Sequence, residues 1–168
     1  MRFTRSSSRA TLAAAFLLAF AACSQGGADA TAKPSAASQR AVHPESGLPV
    51  VPLTVQSAKG AHRFRVEVAA TTEQQAKGLM FRTQMGADEG MIFPNDPPRR
   101  AAFWMRNTVI PLDIIFIGPD RRILNIAANA VPYDETPLPS AGLAAGVLEL
   151  NGGRAAELGI KAGDKVSW

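Results

Sequence analysis

The sequence predicts a mainly β fold of the α+β kind, a small closed or rolled barrel-like sheet with one or two short helices. Three observations predict it. Between residues 48 and 168, apolar side chains recur with a period of two in several short runs. Glycine and proline interrupt those runs at close intervals, and only two short stretches carry helix signals. Alternating βαβ units would need longer helical stretches between the strands than this punctuation leaves.

The first two strands come from plain alternation. Leu53 and Val55 alternate with Thr54 and Gln56, and beyond the turn-forming pair Lys59-Gly60, Phe64, Val66 and Val68 alternate with Arg63, Arg65 and Glu67. Side chains at every second position share a face, so both strands are expected to keep one face wet. In Thr71-Thr72-Glu73-Gln74 the Thr71 hydroxyl can cap a helix while Gln74, three residues on, reaches back to it. That helix should run to about Lys77 and stop near Gly78. Strands are expected over residues 103–105, 112–117, 122–127 and 146–150, with Gly118-Pro119-Asp120 turning between the second and third of these. Residues 151–158 read as a second short helix, and Gly163-Asp164 turns into a closing strand that ends at Trp168. No internal repeat is present, and Gly152-Gly153 lacks the spacing of a phosphate cradle, so no nucleotide or other cofactor is expected.

Residues 1–23 differ in kind. They have a basic start, an apolar run from Leu12 to Ala22, and small residues before Cys23, which is the layout of a secretory signal. The run is too short for a membrane-crossing helix, which needs about twenty apolar residues. Cys23 is the single cysteine of the 168 residues, so an exported domain has no internal disulfide to form with it. Residues 24–47 are rich in Ala, Ser, Gly, Pro and Gln and hold too little apolar surface to offset the entropy of ordering. They read as a flexible tether spanning about 25–30 Å, with His43 a solvated residue in it, followed by one domain over residues 48–168.

Charge bears on partners. The formal net charge is +4, but removing Arg2, Arg5 and Arg9 with the signal leaves fifteen basic side chains against fourteen acidic ones. So balanced a domain lacks the footprint that phosphate backbones require, and no nucleic acid partner is expected.

The stretch from Phe103 to Asp113 is the most unusual in the chain. On a strand over residues 112–117, Leu112, Ile114 and Phe116 share one face, and Asp113 shares the other with Ile115 and Ile117. A carboxylate among aliphatic neighbours needs partners, because an unpaired buried charge costs several kcal/mol or shifts its pKa. Arg106, Asn107 and Thr108 precede it and are expected to supply them. Glu149, between Leu148 and Leu150, poses the same problem. Trp104 adds a flat apolar surface, so Arg82, Trp104, Arg106, Asn107, Thr108, Asp113 and Glu149 form the candidate ligand site.

Two resemblances add to this reading. Phe20-Ala21-Ala22-Cys23 resembles the box of a bacterial lipoprotein signal, with Phe20 where Leu is usual. The resemblance implies lipidation of Cys23, attachment to a membrane through that lipid and, from Ser24, delivery to the outer membrane on its periplasmic side. A cut at Ala28-Asp29-Ala30, leaving a soluble periplasmic protein, is the alternative. The runs Gly78-Leu79-Met80-Phe81-Arg82, Gly90-Met91-Ile92-Phe93, Phe103 to Thr108, Ile110 to Ile114, Val147 to Leu150, Gly159-Ile160 and Gly163-Asp164 resemble, in that order, the bacterial family called domain of unknown function 192. The likeness covers residues 62–168; the family usually has Lys where this chain has Arg106, a change from a point charge to a fork. It implies a compact, barrel-like β domain, often exported and anchored, of unestablished activity.

Three functional classes stay open beside a purely structural scaffold, in which Asp113 ties a turn through backbone N–H groups and Thr108. The first is a binding module for a polar cell-envelope ligand such as a sugar or cell-wall fragment. The second is Cu(I) handling by the thioethers of Met80, Met85, Met91 and Met105, with His62 the one histidine of the domain, although methionine more often fills core gaps, and no metal site is expected. The third is hydrolysis by Asp113 and Glu149 as an acid–base pair. Ser57, Ser140 and Ser167 lie outside any nucleophile motif, so a catalytic triad is not expected.

Overall fold

A computed structural model describes residues 41–168; Cys23, the signal and most of the predicted tether lie outside them. The first alternating runs pair as an antiparallel hairpin of β1 (Val50–Ser57) and β2 (Gly60–Val68), turning at Ala58-Lys59. Helix α1 (Thr72–Lys77) follows with the predicted capping box intact: the Gln74 N–H donates to the Thr71 hydroxyl, and the Gln74 side chain accepts from the Thr71 N–H. The remaining elements are β3 (Glu89–Phe103), β4 (Leu112–Ile117), β5 (Ile123–Ala130), β6 (Leu138–Asn151), α2 (Arg154–Leu158) and β7 (Lys165–Ser167).

All seven strands form one curled, half-barrel sheet in the order β5-β4-β6-β3-β2-β1-β7. Neighbours are antiparallel except β2 and β3. A parallel pair needs a crossover connection, and α1 lies in it. The two edge strands meet at one end, where Arg122 bridges Lys165 and the Val166 N–H donates to the Arg121 carbonyl at 2.8 Å. Pairing there leaves fewer edge groups open to other chains.

Both sheet faces are covered. Leu53, Val55, Phe64, Val66, Ile115, Ile117, Leu148 and Leu150 pack on one face with Ala155 of α2. Met91, Phe93, Met105, Leu112, Ile114, Phe116 and Val147 pack on the other with Leu79, just beyond α1. Every residue of β4 is therefore buried, and each of its large apolar side chains contributes about 1.5–3 kcal/mol by leaving water. The predicted split of β4 into two alternating faces holds.

Several boundaries and one burial differ from expectation. β3 begins fourteen residues before Phe103 and stops there, because the run Pro94-Asn95-Asp96-Pro97-Pro98 is carried as a register shift between Pro94 and Arg99 rather than as a loop. β6 extends back to Leu138 through an Ala- and Gly-rich stretch with no alternation to announce it. Glu67, on the face expected to be wet, is buried. The domain also takes in residues before 48: Val42 bridges Pro49, and the Val50 N–H donates to the Ala41 carbonyl at 2.6 Å.

Candidate functional site

Asp113 is fully buried, but its partners are not the predicted ones. Its Oδ1 accepts from the backbone N–H of Asn129 at 2.7 Å and of Gly153 at 3.0 Å, and its Oδ2 accepts from the N–H of Ala155 at 2.7 Å. Gly153 precedes α2 and has no side chain with which to cap it, so Asp113 serves the first turn of α2 from a neighbouring strand. Arg106, Asn107 and Thr108 do not reach it because Asp113 pairs across the sheet with Leu150 and faces the α2 side. Asp113 is thus a tie between three chain segments, the scaffold role weighed for it, with backbone donors and without Thr108.

Glu149 sits one position away in the ladder and faces the other way. Its neighbours across the sheet are Met91 and Ile114, both in the core cluster on the α1 side. The two acids therefore lie on opposite faces of the sheet, and the geometry of a carboxylate pair acting on one bond is missing. Glu149 is 4% exposed, and among the described residues no group donates to or pairs with its carboxyl. Burial alone pushes that carboxyl up to about 8, so at neutral pH it is mostly the neutral acid, able to donate as well as accept a hydrogen bond.

The Glu149 carboxyl lies at a cleft of about 210 Å³ between α1 and the end of β3. Leu79, Phe93 and Phe103 give the cleft apolar walls, and Phe93 and Phe103 meet edge to face at 5.0 Å between ring centroids. Gly78 closes the wall nearest α1: its φ is +47°, and a Cβ there would stand 3.3 Å from the Phe93 ring. Trp104, half exposed, stands in the lining with the Arg106 guanidinium 5.7 Å from its ring centroid. Lys77 and Arg99 complete the charged part of the lining, Arg99 donating to Gln75 at 3.3 Å. Thr108 is buried beneath Arg106, where its hydroxyl donates to the Arg106 carbonyl at 3.2 Å.

Four of the seven predicted site residues, Trp104, Arg106, Thr108 and Glu149, thus converge on one cleft. Asp113, Asn107 and Arg82 do not. Asn107 has a left-handed backbone with φ +53° and accepts the Phe81 N–H at 2.8 Å, so it holds the loop rather than lining the cleft. Arg82 is buried in an ion pair, donating to both oxygens of Glu67 at 2.9 and 3.1 Å. Glu45 joins Arg82 at 3.1 Å, the Ser46 hydroxyl bonds to Glu67, and His43 stands 3.7 Å from it. The end of the predicted tether is therefore clasped onto the domain, and His43 is half-buried rather than solvated. Lys77, Arg99 and Phe93 line the cleft without having been among the predicted site residues; the runs Gly78-Leu79-Met80 and Gly90 to Phe93 were the available pointers to this wall.

The methionines take core and wall positions, the gap-filling role weighed for them. Met91 and Met105 are core residues, Met85 packs against the same core, and Met80 lines the cleft. Among the described residues no three of His, Cys, Asp and Glu gather closely enough to hold a metal ion.

Comparison with known proteins places the chain. A protein of unknown function from Novosphingobium aromaticivorans DSM 12444, solved as a crystal structure, is similar to it at 67% identity and a TM-score of 0.76, over 79% of this chain and 94% of that one. A crystal structure from Sinorhizobium meliloti 1021, given the provisional name of transcription regulator, is 39% identical with a TM-score of 0.69, over 71% of this chain and 94% of that one. No curated protein matches the chain. The model of the family DUF192, described as "Uncharacterized ACR", matches residues 53–168. That span takes in every strand but the start of β1, both helices and the whole cleft, and the chain belongs to the domain of unknown function 192 family.

Proposed function

We propose that this chain is an exported, lipid-anchored cell-envelope protein whose folded domain binds a polar envelope ligand in the cleft above Glu149. One observation carries the binding reading: a buried carboxyl, without a partner among the described residues, opens onto a concave surface where an aromatic ring and three cationic side chains converge. The carboxyl is not sealed off: it reaches the cleft without a partner among the described residues, so a guest there meets an acid group that the fold has not already engaged. Satisfied acids such as Asp113 carry no such signal. The anchoring reading rests on the Leu12–Cys23 stretch, and the composition of residues 24–40 suits a tether that holds the domain off a membrane surface.

Each half has its own test. Titrating the ¹⁵N-labelled protein with a panel of cell-wall glycans and peptides should shift the Trp104 indole resonance and raise the melting temperature. A panel that moves neither removes the binding function. For the anchor, cells fed radioactive palmitate should label the wild-type chain and leave Cys23→Ala unlabelled; a variant that still takes up label contradicts lipidation at Cys23.

A further inference from the structure

We infer that the cleft accepts the carboxylate-bearing end of its ligand, which lies on the Trp104 side and takes a hydrogen bond from Glu149. This rests on the cleft being a binding site and names what it binds.

Size narrows the class first. At about 210 Å³ the cleft is below the roughly 300–1,000 Å³ of sites that enclose whole drug-sized ligands. It therefore houses one ring or one terminal group, with any remaining polymer outside. Charge narrows it further. Lys77 from the end of α1, Arg99 from β3 and Arg106 from the loop after β3 line the space, and among the described residues Glu149 is the one acidic lining residue. Among their neighbours, Arg106 has Glu135 at 3.8 Å, with both side chains more than half exposed, a contact of little energetic weight. The residues flanking Glu149 across the sheet, Met91 and Ile114, are not titratable. With Glu149 neutral, the lining is cationic without a compensating anion, and it favours a negatively charged guest.

Shape separates a carboxylate from other anions. The inner wall is apolar, formed by Leu79, Phe93 and Phe103, and Glu149 is its one strong donor. A planar monoanion presents two oxygens, one to accept the Glu149 O–H and one to meet an arginine fork. A tetrahedral phosphate would bring more oxygens than that wall can pair, each unpaired one at a desolvation cost. No covalent bond changes: the proton stays on Glu149, shared with the guest. Once Glu149 ionises, the donor is lost and two carboxylates face each other.

The experiment follows binding by calorimetry, and by the Trp104 indole resonance in the ¹⁵N-labelled full chain, from pH 5.5 to 9.5. The probes are benzoate and glucuronate, their neutral counterparts benzyl alcohol and glucose, and inorganic phosphate. Expected at pH 6.5 is a carboxylate preference of about tenfold or more over the neutral counterparts, as a charge-assisted hydrogen bond provides. Above about pH 8 the carboxylate affinity should fall about tenfold per pH unit. Glu149→Gln, which keeps a neutral donor, should retain the affinity at pH 6.5 and lose the alkaline fall. Arg106→Ala, at a position more than half exposed, should weaken carboxylates about fivefold or more and neutral probes by clearly less. Equal binding of neutral and charged probes, or an affinity flat with pH in the wild type, overturns the inference and leaves the binding site standing. Phosphate binding as tightly as benzoate overturns the carboxylate assignment. If no probe binds at any pH, the binding site itself falls and this inference with it.

Discussion

Asp113 and Glu149 occupy neighbouring rungs of the β4–β6 ladder, and both are buried, yet they are opposite cases. Asp113 faces α2 and is held by three backbone N–H groups drawn from β5, the turn before α2 and α2 itself. Glu149 faces α1 and has no partner among the described residues, and burial raises its carboxyl to about 8. What separates them is the chain around each face. On the α2 side, turns bring unpaired N–H groups to the carboxylate; on the α1 side, aromatic walls leave an open cleft. Burial of an acid is thus no guide to its role until its donors have been counted.

The contrast can be broken at either acid, and the largest effect belongs to Asp113. Asp113→Ala strands three buried or half-buried N–H groups and should cost about 3–5 kcal/mol in urea denaturation. A loss under about 1 kcal/mol would mean that water replaces the carboxylate and that the tie is incidental.

Glu149 should behave in the reverse sense, through pH. Its folded pKa is raised from 4.5 to about 8. Between those values the unfolded chain has released the proton while the folded chain keeps it, so stability falls as pH rises through this window and levels off above it. The full loss is up to about 5 kcal/mol by linkage. Glu149→Gln should match the wild type near pH 4.5 and be the more stable protein at pH 8. Parallel stability curves for the two would show that the carboxyl is hydrated or paired in solution.

Two smaller changes sharpen the boundary of the cleft. Gly78→Ala places a Cβ on a left-handed backbone 3.3 Å from the Phe93 ring and should cost about 1–2 kcal/mol in thermal or chemical melts. Trp104→Ala and Arg106→Ala, both at exposed positions, should change stability by no more than about 0.5 kcal/mol. A larger loss in either would make the Trp104–Arg106 stack part of the fold rather than part of the site.

How much of this was legible follows from where the physical signals lie. Alternation placed β1, β2 and β4, and Thr71 with Gln74 placed α1, because those signals are local and the packing reinforces them. β3 and the first half of β6 pair with each other through prolines and small residues, so nothing local marks them; their regularity comes from the partner strand. The sequence identified Asp113 and Glu149 as acids in aliphatic company, but not which was satisfied, since the donors to Asp113 are backbone groups sixteen to forty-two residues away. Glu67 and Arg82 looked like surface charges for a related reason. Only the fold of residues 43–46 over them reveals a buried pair. Lys77 and Arg99 carry no pattern that separates a cleft cation from any exposed one.

The cleft depends on Glu149 holding its proton, and the measurement that tests this most directly is a titration of its side-chain carboxyl by ¹³C NMR in the uncomplexed protein. The Glu149 resonance should titrate near pH 8 and be absent from the spectrum of Glu149→Gln. A midpoint near 4.5, the ordinary value for a glutamate, would mean that the carboxyl is solvated or paired, and the cleft would lose the group on which its chemistry depends.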